Sequence, residues 1–205
     1  MRLANQQGQT IIEVLIAIVV MFVGMLGVLA LAQANINNEK LGVDRLTATQ
    51  LAREATEVIR ATRDSNYMQT TTVPAPSTLN AWDQGICIEL TKNAPSCWTL
   101  DVAVTSNTDV LSFTASCSND VLSPEYQLKR DDVSGIYTLT SGTPTKFFRK
   151  IATRPICLEG GNEIVKDQCQ NLTDRIGIEV RSEVGWLHFD QKKTVVLTEH
   201  LYNWR

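Results

Sequence analysis

An uncharged apolar run near the N-terminus constrains this 205-residue chain more than any other feature. Residues 14–32 contain no charged residue, no proline and no asparagine. Because about 20 predominantly apolar residues suffice for a helix to cross a bilayer, the run predicts a membrane-spanning helix. One carboxylate, Glu13, stands at its start. Ionisable groups at the edge of hydrocarbon are costly and usually mark a function with a partner; a plain anchor with a polar residue near one edge is the alternative.

The residues Gly8-Gln9-Thr10-Ile11-Ile12-Glu13, followed by this run, resemble the N-terminus of type IV pilins and pseudopilins. In that family a short leader ends in Gly, a peptidase cuts after this Gly, and a Glu is the fifth residue of the new chain. The resemblance implies a leader peptide over residues 1–8, cleavage between Gly8 and Gln9, N-methylation of Gln9, and an assembly role for Glu13. Two features depart from the family pattern: Gln9 stands where Phe or Met is usual, and Arg2 is the leader's one basic residue.

An ordinary secretory signal is the competing interpretation of this N-terminus. Residues 30–32 and 32–34 both read small-x-small, the pattern of a signal-peptide cleavage site. Against it, the apolar run is longer than a usual signal core, Glu13 interrupts its start, and a single Arg precedes it.

Beyond Ala34 a helical pattern continues in amphipathic form. Apolar residues recur at spacings of three, four or seven, as expected for one face of a helix: Leu41, Ala48, Leu51, Ala55 and Val58. The sequence therefore predicts one helix from about Thr10 to Asn66. Residues 9–34 form its transmembrane or assembly half, and residues 35–66 form its amphipathic half.

Residues 67–205 read as a β-rich globular domain that opens with a polar linker at 69–78. Short strands are predicted over 98–104, 111–116, 135–140 and 146–155, and the alternation of apolar and charged residues over 175–186 predicts a strand with one buried face. A turn at 190–192 leads into a last strand, and the pair Tyr202 and Trp204 is expected in the core. The fold class is α+β: a long N-terminal helix, half of it transmembrane, packed on an antiparallel sheet in the manner of a type IV pilin.

All five cysteines follow the apolar run, which would export them to an oxidising compartment: Cys87, Cys97, Cys117, Cys157 and Cys169. Sequence alone leaves the connectivity open. The closest spacings favour Cys87–Cys97 and Cys157–Cys169, with Cys117 left over. The Gly-containing segment 157–169 is expected to be a loop closed by its own disulfide, and in pilins such a loop near the C-terminus often forms an exposed, variable surface. A metal site is the weaker alternative, because no Cys-x-x-Cys occurs.

The rest of the sequence points away from catalysis. No nucleophile elbow, P-loop or dinucleotide fingerprint occurs, so no enzyme, cofactor or metal site is expected. The formal net charge of −3 gives no indication of nucleic-acid binding.

We therefore expect a structural subunit of a type IV pilus-like filament, with a minor pilin favoured by the disulfide-rich domain. The resemblance implies three partners: other pilin subunits, a prepilin peptidase/N-methyltransferase and an assembly platform. The precursor is expected in the cytoplasmic membrane with its C-terminal domain outside, and the mature chain in an extracellular pilus or a periplasmic pseudopilus. A type II secretion pseudopilin and a membrane-anchored binding domain that does not polymerise remain the alternatives.

Overall fold

The computed structural model describes residues 7–72, 81–83, 86, 97–105, 108–115, 118, 120–167, 169–170 and 174–203. The chain divides into two compact units, Met1–Asp44 and Arg45–Arg205. A single helix, α1 (Gln7–Thr72), begins in the first unit and ends in the second. It starts and ends a few residues outside the predicted helix. Residues 69–72, predicted as the start of a linker, are its last turn.

In the first unit, α1 presents its apolar side chains to the outside. In the part of the chain that the structure describes, α1 is the helix whose length and composition suit a membrane span. None of its most apolar 18-residue window is buried within the protein. A soluble helix would cover such a stripe with its own core, so this surface requires lipid or other helices around it.

The second unit contains an antiparallel sheet whose described strands number eight. Its strands are β1 (Cys97–Thr105), β2 (Thr108–Ala115), β3 (Gln127–Arg130), β4 (Tyr137–Thr138), β5 (Thr143–Glu159), β6 (Asn162–Val165), β7 (Arg175–His188) and β8 (Gln191–Tyr202). Short 3-10 turns occupy Ala81–Asp83 and Pro124–Tyr126. The predicted fold class, a long N-terminal helix with an antiparallel sheet, is confirmed.

Strand β5 organises the sheet. Along one edge it pairs with β7, from Phe147 opposite Trp186 to Cys157 opposite Arg175, and β8 pairs with the far side of β7. Along its other edge three strands follow one another: β3 near its start, β1 at its middle and β6 at its end. Because β5 is 17 residues long, it pairs with four other strands: β1, β3, β6 and β7.

The core lies between the sheet and the part of α1 that begins at Arg45. The buried helix residues follow the predicted face, at Ala48, Leu51, Ala52, Ala55 and Ile59. Two of them, Ala55 and Ile59, belong to one apolar cluster with four residues of the sheet: Ile151 of β5, Ile178 and Val180 of β7, and Leu201 of β8. Three of the five helix residues are alanines, which lets the helix axis approach the sheet closely.

The alternation predicted for β7 is also observed. Ile178, Val180, Val184 and Trp186 are buried, whereas Arg181 is exposed. Burial of large apolar side chains at every second residue fixes the register, because a slip by one residue would turn the whole set to solvent.

Three details differ from the sequence expectation. The turn between β7 and β8 lies at Phe189 and Asp190, which both have positive φ, and not at 190–192. Strand β4 keeps two residues of the predicted 135–140. Tyr202 is not a core residue: it stands on the outer face of the sheet, close to Gly177, and its hydroxyl donates to Glu163 at 2.9 Å. Trp204 lies outside the described residues.

Two charged side chains, Arg149 and Arg175, enter the interior. The alternation over 175–186 placed Arg175 on the solvent-facing side of its strand, and for this residue that prediction is wrong. The Arg149 guanidinium, 1% exposed, donates to the Leu51 carbonyl at 3.3 Å and to the Glu54 carboxylate at 3.2 Å. Arg175 approaches Asp83 to 2.5 Å, with side chains only 9% and 3% exposed. Burial raises the pKa of the Asp83 carboxyl to about 6, and the charge of Arg175 offsets part of that rise.

Candidate functional site: the N-terminal segment

The candidate processing site lies at the very start of α1. Gly8 and Gln9 are helical residues, and Glu13 follows four positions after Gln9. Residues four apart in a helix share a face and are separated by about 6 Å along the axis. A positive amine created on Gln9 by cleavage would therefore lie one helical turn from the Glu13 carboxylate.

Glu13 itself is an exposed carboxylate within an exposed apolar surface. Ile12 and Ile16, its neighbours on the helix, are both more than half exposed. Residues 3–39 contain no Lys or Arg, so no basic side chain of this stretch of helix can neutralise it. A carboxylate transferred into hydrocarbon needs a counter-charge. For Glu13 that charge must come from a chain terminus or from another molecule.

The cysteines form a second candidate feature. A disulfide joins Cys157 of β5 to Cys169, with 5.5 Å between the Cα atoms; this is the pair that the sequence spacing favoured. Cys97 begins β1, whereas Cys87 and Cys117 lie outside the described residues. The proposed Cys87–Cys97 pairing therefore stays a prediction.

The segment closed by this disulfide is more regular than the expected loop. Its first half is a β-hairpin, in which Cys157 pairs with Ile164 and Glu159 with Asn162. Gly160 and Gly161 make the two-residue turn with φ of 58° and 85°, values that a type I′ turn requires and that glycine adopts without strain. The low apolar content of the segment suggested a loop. The Gly-Gly pair instead forms a tight turn that lets the flanking residues pair as strands.

Acidic residues of this hairpin are engaged with neighbouring side chains. Lys166 donates to Glu159 at 2.5 Å, and Tyr202 donates to Glu163. Among the residues that the structure describes, no group of three or more His, Cys, Asp or Glu side chains is arranged to hold a metal ion.

The disulfide should contribute measurably to stability. Replacing both Cys157 and Cys169 with Ser should lower the free energy of unfolding by about 2–4 kcal/mol, since closing a loop of this size restricts the unfolded chain. Urea unfolding of the parent and the double variant measures the loss, and Cys117→Ser is the control with little expected change. Non-reducing peptide mapping checks the bond itself: a link from Cys157 to Cys87, Cys97 or Cys117 would contradict it.

Comparison with known proteins agrees with the N-terminal features. A family described as the prokaryotic N-terminal methylation motif matches residues 3–29, which include Gly8, Gln9, Glu13 and most of the apolar run. No curated protein and no solved structure matches the chain.

Together, the methylation motif and the long apolar helix support a type IV pilin-like protein. The coarser function that follows is a subunit of the pilin or pseudopilin kind, a class that is usually structural. Such a motif implies processing by a prepilin peptidase and assembly with other pilin subunits, and it implies a membrane-anchored precursor.

Proposed function

We propose that this chain is a structural subunit, of the minor pilin kind, in a type IV pilus-like filament. One observation carries the proposal: α1 presents a continuous exposed apolar surface whose single carboxylate lies five residues after Gly8, with no basic side chain nearby in the same helix. A carboxylate has no function in an isolated membrane anchor. In a bundle of identical helices it can fix the axial register between neighbours by pairing with a positive charge.

The proposed pathway has three steps. A prepilin peptidase removes residues 1–8, and N-methylation modifies the new N-terminal Gln9. The mature helix then leaves the lipid and packs against those of other subunits on an assembly platform. A head-to-tail contact that does not close produces an open helical filament, and bundled apolar helices at its centre escape water.

The proposed division of the chain follows these steps. Residues 9–34 supply the membrane and assembly half of α1, and residues 35–66 supply the half that carries the domain. The remainder, up to Arg205, supplies the outer surface, on which the hairpin closed by Cys157–Cys169 is one exposed element. Its Leu158 side chain is 44% exposed. The modest chain length and this disulfide-containing domain favour a minor over a major subunit.

The test is whether the processed chain is found in filaments. Surface filaments should be sheared from cells, purified and analysed by mass spectrometry. We expect the chain to be present with Gln9 as its N-terminal residue, carrying one methyl group. The chain in membranes of cells that lack the prepilin peptidase should retain residues 1–8.

Other outcomes would separate the alternatives. A mature N-terminus at Gln33 or Asn35 would indicate a secretory signal and overturn the proposal. A chain processed at Gln9 but found in a secretion complex and not in surface filaments would be a pseudopilin. A chain that stays in membranes under every condition would be an anchored binding domain.

A further inference from the structure

Strand β8 forms one edge of the sheet in the second unit. Among the strands that the structure describes, β7 is its one neighbour, and the two pair along the whole of β8, from Gln191 opposite His188 to Tyr202 opposite Gly177. The backbone N–H and C=O groups on the other side of β8 therefore have no strand partner within the described part of the chain. A free strand edge is a template on which another strand can pair.

The hydrogen bonds between β7 and β8 determine which residues of β8 face the free edge. The N–H of Asn203 donates to the Ile176 carbonyl at 2.7 Å, and this pair continues the register of the two strands. Hydrogen-bonded pairs recur at every second residue of an antiparallel ladder, so the odd-numbered residues of β8 bond to β7. The even-numbered residues, from Lys192 to His200, direct their N–H and C=O groups away from the sheet.

The centre of this edge is suited to strand pairing. Residues 194–198 read Thr-Val-Val-Leu-Thr, without charge, Pro or Gly, and uncharged stretches rich in β-branched residues pair readily when exposed at an edge. Val195 and Leu197 lie on the same sheet face as Leu201, which packs against α1, yet they are only partly buried. Val196, on the opposite face, is 43% exposed. A strand added at this edge would cover all three side chains.

Two charged residues flank this stretch in a self-complementary order. Lys193 precedes it and Glu199 follows it, and both are odd-numbered residues on the face that carries α1. If a second copy of β8 runs antiparallel with Val196 opposite its own Val196, Lys193 of each copy lies opposite Glu199 of the other. Opposite charges directly across two strands stabilise the pair, whereas like charges destabilise it. Moving the partner by two residues in either direction places a leucine opposite Lys193, so the charges select one register.

The other side chains are compatible with the same register. Residues 194–198 pair among themselves, with threonine opposite threonine and apolar residues opposite apolar residues, combinations that favour strand pairing. Lys192 lies opposite His200 of the second copy. In each chain Lys192 bonds to Asp120 at 2.7 Å and the His200 ring lies 3.3 Å from the Glu179 carboxylate, so each basic side chain of this pair has a carboxylate beside it.

We propose that the free edge of β8 binds the same edge of a second copy of this chain, antiparallel and with Val196 at the two-fold axis. The contact is isologous and joins two sheets into one. Because the axis is perpendicular to the sheet, the segments of α1 packed on the two sheets run in opposite directions.

The direction of the helices indicates where such a contact fits. Helices bundled in one head-to-tail filament all run in one direction, so the β8 contact suits copies carried by two different filaments. That location rests on the proposed filament function, whereas the pairing itself rests on the second unit alone. The filament test and the test below can therefore fail independently.

The test compares the self-association of full-length variants by sedimentation in detergent, where every variant keeps the same apolar run. Lys193→Glu and Glu199→Lys each place like charges opposite one another, so each should weaken self-association at least about tenfold relative to the parent. In a mixed dimer of the two variants both pairs again have opposite charges. An equimolar mixture should therefore recover the parental affinity to within about threefold, which also shows that both variants are folded.

Arg130→Glu is the matched control for a change of charge. Arg130 is an exposed residue of β3, and β5 and β7 separate this strand from β8. The variant should associate like the parent.

A second measurement checks the register. A short bis-maleimide should join two copies of Val196→Cys through residue 196, in excess of any product that the native cysteines of the parent give. Two copies of His200→Cys should not be joined through residue 200, because eight residues of strand would separate the two positions by about 27 Å.

Three results would overturn the proposal. In the first, the parent stays monomeric, so the β8 edge does not bind a second copy. In the second, the parent and both single variants associate equally, which would place the association elsewhere, for example in the apolar run. In the third, the mixture of Lys193→Glu and Glu199→Lys associates no better than either variant alone.

Discussion

Glu13→Ala should leave the precursor in the membrane while depleting the protein from filaments at least about tenfold. The reason is electrostatic: once α1 packs among other apolar helices, the carboxylate and the amine of the mature N-terminus are both removed from water. Paired, they offset each other's cost of burial. Removing one partner leaves the other charge buried and uncompensated, which commonly costs more than losing the pair.

The pairing would also set the register between subunits. Residues 3–39 supply no basic side chain, so the amine of Gln9 is the nearest candidate cation, either in the same chain or in a neighbour. Apolar helix surfaces slide past one another with little change in energy, whereas a charge pair favours one axial offset. Glu13 would thus convert a non-specific bundle into a defined assembly.

The measurement is the amount of each variant in sheared filaments relative to its amount in membranes. Glu39→Ala is the matched control, because Glu39 is an exposed carboxylate of the same helix beyond the apolar run, and its incorporation should equal that of the parent. Glu13→Gln keeps the size and removes the charge, so it should behave like Glu13→Ala. Equal incorporation of Glu13→Ala and the parent would show that the carboxylate has no assembly role.

The features predicted well from the sequence were those with a repeating pattern. A period of 3.6 marked the buried face of α1 through Ala48, Leu51 and Ala55, and a period of two marked the buried face of β7. Both follow because burying one face of a regular element forces apolar residues to recur at its geometric period. The N-terminal segment was recognised for another reason: Gly8 stands five residues before Glu13 at the start of a membrane-length apolar run, and this combination resembles the N-terminus of type IV pilins and pseudopilins.

Features that depend on a single contact could not be predicted from sequence periodicity. Tyr202 was expected in the core because it is aromatic, yet it lies on the outer face, where the absence of a side chain at Gly177 leaves room for its ring. The β7–β8 turn was placed one residue late because Phe189 is a poor residue for positive φ. Asp83 lies in a short 3-10 turn. Its partner Arg175, 92 positions later in the chain, was placed on the exposed face by the strand alternation, which carries no information about a single ion pair with a distant turn.

Arg175→Met should destabilise the second unit by about 3–5 kcal/mol near pH 8, the usual cost of breaking a buried ion pair from one side. The Asp83 side chain is 3% exposed, so its carboxylate would lose the guanidinium without gaining water. Methionine fills much of the volume of arginine and limits the cavity contribution. The destabilisation therefore reflects mainly the unpaired charge of the buried Asp83 carboxylate.

The difference in free energy of unfolding between Arg175→Met and the parent should become smaller as the pH falls. In the parent, Asp83 has a folded pKa of about 6, against a usual value of 3.8, and removing Arg175 should raise the folded pKa further. Between these values the folded state binds more protons than the unfolded state, so the contribution of Asp83 to stability rises as the pH falls from 8 towards 4. Protonation also removes the uncompensated charge in Arg175→Met, which brings the variant closer to the parent.

Urea unfolding in mild detergent, followed by tryptophan fluorescence at pH 5, 6.5 and 8, measures both effects. Arg181→Met is the control on the same strand: its side chain is 50% exposed and 3.9 Å from Glu183, so the change should stay within about 0.5 kcal/mol at every pH. Adding Asp83→Asn to Arg175→Met should remove the pH dependence of the loss and recover part of it at pH 8. An Arg175→Met loss that is the same at pH 5 and pH 8, or no larger than that of Arg181→Met, would mean that the two buried charges do not depend on each other.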